Sequence, residues 1–118
     1  MIGDVYVTIF AMRITEYLDA SGNSPFAGWF DRLDAHLAVK ITVALTRISQ
    51  GNLSNVKGVG SGVAEYRIDY GPGYRIYFGR EGNEVVILLA GGTKKRQQED
   101  IRSAIESWQA YKRRKKGS

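Results

Sequence analysis

Apolar and polar residues alternate most regularly between residues 64 and 78. The even positions of 64–70 and 74–78 are apolar or aromatic, the odd positions are mostly charged, and Gly-Pro-Gly separates the two runs. Because successive side chains of a strand point to opposite faces, this period predicts two strands joined by a tight turn. We therefore expect a β-hairpin here.

The turn determines which residues we expect to lie opposite one another. With the turn at residues 71–73, the hairpin pairs Tyr70 with Tyr74, Asp69 with Arg75, and Arg67 with Tyr77. The alternation also gathers five polar side chains on the face away from the core, namely Glu65, Arg67, Asp69, Arg75 and Tyr77. From the pattern alone, this patch is either a solvated face with cross-strand ion pairs or a platform whose arginines hold an anion.

Helical spacing of apolar residues predicts three helices. Ser24 followed by Pro25 predicts the start of a short helix that reaches about Leu33. A second helix has its apolar stripe over residues 37–48, and a last helix over residues 101–111. Together the first two form a helical hairpin.

The remaining segments complete the predicted architecture. Residues 13–19 indicate a first strand, residues 84–91 indicate a strand that is central because it is apolar on both faces, and residues 52–62 are typical of a glycine- and serine-rich loop. The order β-α-α-β-β-β-α predicts an α+β fold with a mainly antiparallel four-stranded sheet and the helical hairpin on one face. The outward apolar positions 86, 88 and 90 of the last strand then require a cover, either the final helix or a partner.

A length of 118 residues suits one domain, residues 1–118. Met12 is an alternative start, which would make residues 1–11 an N-terminal extension. The chain has 17 Lys and Arg against 12 Asp and Glu, and five of the basic residues form the run 112–116. Without that run the two signs are equal in number, so we expect residues 112–118 to be a frayed basic tail that can add nonspecific attraction to nucleic acid.

Several functional classes are excluded by the residue types that are missing. The chain has no cysteine, which excludes a disulfide framework, a thiolate zinc site and a cysteine nucleophile. The apolar stretch 5–12 is too short and wrongly flanked for a signal peptide or a membrane helix. His36 falls between two predicted helices, where we expect it to be exposed and without a catalytic role. We expect a cytoplasmic protein with no metal, no cofactor and no membrane association.

A second group of candidate residues follows the apolar strand. Gly91 and Gly92 allow a sharp turn or the close approach of a ligand. Lys94, Lys95 and Arg96 come next, at the start of the last helix. Cations at this end of a helix oppose its dipole, so helix stability does not explain them and a binding role is favoured.

Two segments carry a resemblance to a known family. They are E-Y-R-I-D-Y-G-P-G-Y-R-I-Y-F at 65–78 and L-L-A-G-G-T-K-K-R-Q-Q-E-D-I at 88–101. From about Met12 to Tyr111, the chain resembles the HigB-like addiction module killer proteins, which are toxins of the RelE/ParE superfamily in bacterial type II toxin–antitoxin systems. The resemblance implies the compact RelE-like fold, and the predicted element order is similar to it.

The resemblance also implies an activity and partners. RelE-like toxins are mRNA interferases that cleave mRNA on the ribosome and so inhibit translation. They use basic residues and a tyrosine or histidine, without a metal, to promote attack of a ribose 2′-hydroxyl on the adjacent phosphate. A cognate antitoxin neutralises the toxin, and here we expect a small helix-turn-helix protein.

Position by position, the resemblance implies roles for individual residues. Arg67 matches the arginine that stabilises the phosphate, Arg75 is a second arginine of this branch, and Lys94 stands at its G-G-x-K lysine. The catalytic tyrosine that RelE-like toxins carry on the last helix has no clear equivalent, and Tyr77 or Tyr74 is a candidate to replace it. The catalytic candidates are thus Arg67, Arg75, Lys94 and Tyr77, and the RNA-binding candidates are Lys57, Tyr74, Lys95 and Arg96.

Functions from different classes stay open at this point. The first is a ribosome-dependent mRNA endonuclease, the second is a ParE-like non-catalytic inhibitor of DNA gyrase, and the third is a toxin-like scaffold without activity. Arg67, Arg75 and Lys94 favour the nuclease, because binding to gyrase requires no group of cations around a phosphate.

Overall fold

A computed structural model describes residues 11–117 of the chain. Its strands are Arg13–Glu16 (β1), Val56–Gly60 (β2), Val63–Ile68 (β3), Tyr74–Glu81 (β4) and Val85–Thr93 (β5). Its α-helices are Pro25–Phe30 (α1), Ala35–Ser49 (α2) and Gln97–Lys116 (α3), and a short 3-10 helix covers Lys94–Arg96. The predicted extension at residues 1–11 lies, apart from Ala11, outside the described residues.

The strands form one mixed sheet of five in the order β1-β5-β4-β3-β2. β1 runs parallel to β5, and the other neighbours are antiparallel. The α+β class is confirmed, but the prediction of four strands was wrong. The additional strand, β2, lies in the segment that we expected to be a loop. Its glycines interrupt the alternation of side chains, and as an edge strand it needs little apolar surface.

The register of the β3–β4 hairpin differs from the predicted one by two residues, since each residue of β3 lies opposite the β4 residue two positions before the one that was predicted. Arg67 lies opposite Arg75, and Glu65 lies opposite Tyr77. Asp69 and Tyr70 fall beyond β3, in a wider turn that is closed by the Gly73 amide donating to the Tyr70 carbonyl at 2.9 Å. Because a shift of two residues preserves the face of each side chain, the predicted grouping by face is retained.

Helices cover both faces of the sheet. α1 and α2 pack over one face, where Phe26, Ile41, Ile76, Phe78, Val86 and Leu88 form a core. α3 packs over the other face through Ala104 and Trp108, against residues that include Val63, Tyr77, Ile87 and Leu89. Val86 and Leu88 of β5 therefore lie under the helical hairpin, so the expectation that the final helix or a partner covers them was wrong. Ala90 packs against the cluster under α3 on the opposite side of the strand.

The basic run at the end of the chain is helical, which corrects the expectation of a frayed tail. α3 continues to Lys116. Arg114 donates a hydrogen bond to the carbonyl of Leu18 at 2.8 Å, and Lys115 forms an ion pair with Glu81 at 2.9 Å. These contacts tie the run to the segment after β1 and to the end of β4. Within residues 11–117, the structure contains no helix with the length and apolar character needed to span a membrane.

Candidate active site

Two neighbouring strands place two arginines directly opposite each other. Arg67 lies near the end of β3 and Arg75 near the start of β4, on the face that α3 covers. Arg67 is exposed, whereas the side chain of Arg75 is only 7% exposed. Like charges opposite one another destabilise a sheet, so the buried arginine requires a compensating group.

Glu65 supplies that compensation. Its fully buried carboxylate places Oε2 3.6 Å from Nε of Arg75, and Oε2 also accepts a hydrogen bond from Nε2 of Gln97 at 2.7 Å. Its Oε1 lies 3.9 Å from Nζ of Lys57 on β2. Because Gln97 begins α3, the helix positions the carboxylate, and the carboxylate forms an ion pair with Arg75.

Three of the four catalytic candidates converge on one hollow. Arg67, Arg75 and Lys94 line a space of about 280 Å³ beside the β3–β4 turn, with Asp69 as an acidic neighbour. The backbone amide of Lys94 donates to the carbonyl of Gly73 at 3.1 Å, which ties the end of β5 to the turn. Arg67 and Lys94 are both exposed, so the hollow is accessible from solvent.

Tyr77, the fourth catalytic candidate, lies in the interior. It sits fully buried beneath α3, opposite Glu65. Burial, with added effects of the Glu65 and Asp100 carboxylates, raises the pKa of Tyr77 well above its ordinary value. The phenol therefore stays neutral at physiological pH. The prediction that Glu65, Arg75 and Tyr77 lie on an exposed face was wrong, because α3 covers this part of the sheet.

The RNA-binding candidates occupy different surfaces. Lys57 on β2, whose side chain is 55% exposed, lines a second small hollow together with Arg67. Lys95 and Arg96 are exposed just before α3, and Arg96 pairs with Glu99 at 2.9 Å. Tyr74 packs partly buried against the core beneath α1 and α2, on the face opposite the arginines.

The glycine pair in β5 accommodates protein side chains. The Trp29 ring occupies the space that a Cβ at Gly91 would need, and the Asp100 carboxylate occupies it at Gly92. Oδ2 of Asp100 is buried and has no hydrogen-bond partner among the described residues. This burial raises the pKa of Asp100, although the nearby charge of Arg96 acts in the opposite direction. Sequence spacing did not indicate this contact, because it depends on how α3 lies on the sheet.

In the described part of the chain, histidine, aspartate and glutamate side chains form no group of three that could hold a metal ion. The hollow is lined by the cations Arg67, Arg75 and Lys94 and by Asp69, and the buried carboxylate of Glu65 lies behind Arg75.

The profile of the family described as phage derived protein Gp49-like (DUF891) matches residues 28–114, a span that includes every candidate site residue. The chain belongs to the Gp49-like family. This family is linked to the toxins of toxin–antitoxin systems, which implies a cognate antitoxin as partner. An uncharacterized protein of Haemophilus influenzae is 39% identical to this Gp49-like chain over 80 residues, covering 67% of the chain and 81% of the relative.

Membership of the Gp49-like family confirms the association with toxin–antitoxin systems that the sequence indicated. The HigB-like assignment, the cleavage of mRNA and the roles of individual residues stay predictions.

Proposed function

We propose that this Gp49-like protein is the toxin of a type II toxin–antitoxin pair and a ribosome-dependent mRNA endonuclease that inhibits translation. The observation that supports this most is the convergence of Arg67, Arg75 and Lys94 on one hollow. The burial of Glu65 behind Arg75 adds to it, because a fixed arginine needs no reorganisation when charge develops on a bound phosphate.

The proposed reaction needs cations in this arrangement. The ribose 2′-oxygen bonds to phosphorus, the bond from phosphorus to the 5′-oxygen breaks, the 2′-hydroxyl gives its proton to a base, and the 5′-oxygen gains a proton. Negative charge builds on the phosphoryl oxygens during this step. Guanidinium groups donate paired hydrogen bonds to such oxygens, so Arg75 would bind the phosphate from the buried side and Arg67 from the exposed side.

The other candidates have supporting roles in this proposal. Lys94 adds a third positive charge at the hollow, and Lys57, Lys95 and Arg96 bind the RNA backbone around it. Tyr77 supports the site from within, as a neutral group opposite Glu65. The partners we propose are mRNA on the ribosome, in the cytoplasm, and a small helix-turn-helix antitoxin.

Mapping transcript ends after induction of the protein tests the activity. We expect translation to stop and mRNA to be cut within codons that ribosomes occupy. Intact transcripts accompanied by DNA damage would contradict the proposal and would favour inhibition of DNA gyrase.

Replacing Arg67 tests the site. We expect Arg67→Ala to lower the cleavage rate by about 10²–10³-fold, the usual loss when one donor to a developing oxyanion is removed. The thermal unfolding temperature should change little, because this side chain is exposed. Arg32→Ala, which removes an exposed arginine just after α1, is the matched control and should retain full activity. A fully toxic Arg67→Ala variant would refute the assignment.

A further inference from the structure

A larger groove runs between α2 and the end of β3 and meets the hollow at Arg67. This α2–β3 groove has a volume of about 420 Å³, and its lining includes His36, Lys40 and Arg47 from α2. Arg67, Asp69 and Tyr70 line both the groove and the hollow. The groove and the hollow therefore adjoin at the end of β3, and a ligand lying along the groove would enter the candidate active site by passing around this end of the strand.

Tyr70 presents an aromatic ring in this groove. The residue is 38% exposed, and Nζ of Lys40 lies 4.4 Å from the centroid of its ring. The ring of His36 lies 5.6 Å away at an interplanar angle of 52°. Backbone hydrogen bonds from Tyr70 to Ile68 and from Gly73 to Tyr70 hold the turn that carries the ring. Stability of the core does not account for this position, because much of the ring is outside the core.

The charges around the ring favour a polyanion. Lys40, Arg47 and Arg67 line the groove with positive charge, and Asp69 adds a negative one. An aromatic ring flanked by cations is the combination with which proteins bind single-stranded nucleic acid, since the ring stacks on a base and the cations hold phosphates. The exposed side chains of Val39 and Val43 add apolar contacts at the rim, too few to favour a protein partner over RNA.

We propose that the α2–β3 groove binds the nucleotide of single-stranded RNA next to the scissile phosphate, with its base on Tyr70 and its phosphate at Lys40 and Arg47. This inference rests on the proposed function, because it assigns the substrate's neighbouring nucleotide to a second place on the same surface.

Binding of a fluorescently labelled single-stranded oligoribonucleotide, measured by fluorescence anisotropy, tests the groove. We expect Tyr70→Ala to weaken binding about tenfold, in the range found for the loss of one stacked base, and Tyr70→Phe to bind like the original protein. Lys40→Ala should weaken binding and reduce the salt dependence by about one phosphate contact. Arg32→Ala, just after α1, is the control for loss of an exposed cation outside the groove, the hollow and the basic run, and circular dichroism checks that each variant is folded.

Two results would overturn the inference. One is unchanged RNA affinity in Tyr70→Ala. The other is a Tyr70→Ala or Lys40→Ala variant that binds the antitoxin more weakly and RNA as well as the original protein does. This result would make the groove a surface for protein docking.

A parallel assay of transcript cleavage on ribosomes separates this inference from the proposed function. RNA binding that depends on Tyr70, in a protein that leaves transcripts uncut, would refute the endonuclease and retain the groove. The opposite result is cleavage that requires Arg67, while Tyr70→Ala changes neither RNA binding nor the positions of the cuts. It would refute RNA binding in the groove and retain the endonuclease.

Discussion

The two arginines at the hollow differ in their burial and in their dependence on a partner. Arg67 is exposed, so its replacement should affect activity and leave the fold intact. Arg75 is buried and depends on Glu65, so a change behind it should affect stability as well. At the scale of single residues, activity and stability can therefore be separated on adjacent strands.

Removing the carboxylate of Glu65 tests this dependence. We expect Glu65→Ala to lower the free energy of unfolding by about 3 kcal/mol, because it leaves the charge of Arg75 buried and uncompensated. Urea denaturation measures the change. Glu99→Ala is the control, since it removes an exposed ion pair with Arg96 and should cost less than about 1 kcal/mol. Equal stability of the two variants would show that Glu65 does not hold Arg75.

Asp100 should make stability depend on pH in the opposite sense to most carboxylates. Its pKa is raised by burial, so the folded protein keeps this proton at pH values where the unfolded chain has lost it. Stability falls as pH rises through the raised pKa, and the ionised group costs free energy at neutral pH.

We therefore expect Asp100→Asn to raise the thermal unfolding temperature at neutral pH, with the advantage shrinking as the pH is lowered below the raised pKa. Calorimetry at neutral and acid pH measures this, and Asp69→Asn, at an exposed carboxylate, is the control. A variant less stable than the original protein at neutral pH would contradict the argument.

Among the elements, α3 determines which part of the sheet is site and which is core. The indole ring of its Trp108 packs against β4, where a Cβ added at Gly79 would lie 2.5 Å from the ring. The start of the same helix carries Gln97 and Asp100, which contact Glu65 and Gly92. One helix thus covers the core on its own face of the sheet and also supports the hollow through the contact of Gln97 with Glu65.

The contact between β4 and α3 can be tested by adding one methyl group. We expect Gly79→Ala to lower the free energy of unfolding by about 1–3 kcal/mol, because the backbone of a central strand and a packed indole ring cannot separate freely. Gly58→Ala in β2 is a matched control, since a Cβ there has no neighbour within 4 Å. Urea midpoints of both variants give the measurement. A Gly79→Ala protein as stable as the Gly58→Ala protein would show that α3 adjusts easily.

Local signals predicted most of the elements. Ser24 caps the start of α1 and accepts a hydrogen bond from the amide of Ala27 at 3.0 Å, as its position before a proline indicated. β5 is central because both of its faces are apolar, and it lies between β1 and β4. β2 could not be predicted, because a glycine-rich edge strand is specified by pairing with β3 and lacks a pattern of its own.

The candidate site was predictable in part. The resemblance indicated Arg67, Arg75 and Lys94, and the structure brings these three together. The covering of Arg75 and Tyr77 was not predictable, because alternation along a strand assigns residues to a face without telling which helix packs on that face. A row of polar residues normally indicates a face in contact with solvent. Here α3 covers the row, and Gln97 at the start of α3 donates a hydrogen bond to the buried carboxylate of Glu65.

In the molecule as a whole, the positively charged residues lie in two separate regions. The run 112–116, which accounts for the basic composition, belongs to α3 and contacts Leu18 and Glu81. The cations that line the hollow and the α2–β3 groove lie elsewhere, on β3, β4, α2 and the 3-10 helix that follows β5. The excess of basic residues in the composition therefore comes from the end of α3 and gives no information about the candidate active site.

The parallel pairing of β1 with β5 has a consequence for the order of folding. Arg13 lies opposite Val85, so the pairing of β1 with β5 closes a loop that contains most of the chain, and we expect this pairing to form late. Closing so long a loop costs entropy and slows folding, whereas β3, β4 and β5 pair with neighbours in sequence. Until β1 returns, an apolar strand destined for the middle of the sheet has one bare edge. We therefore expect the chain to be most prone to pairing with another copy, along the open edge of β5, before β1 has joined the sheet.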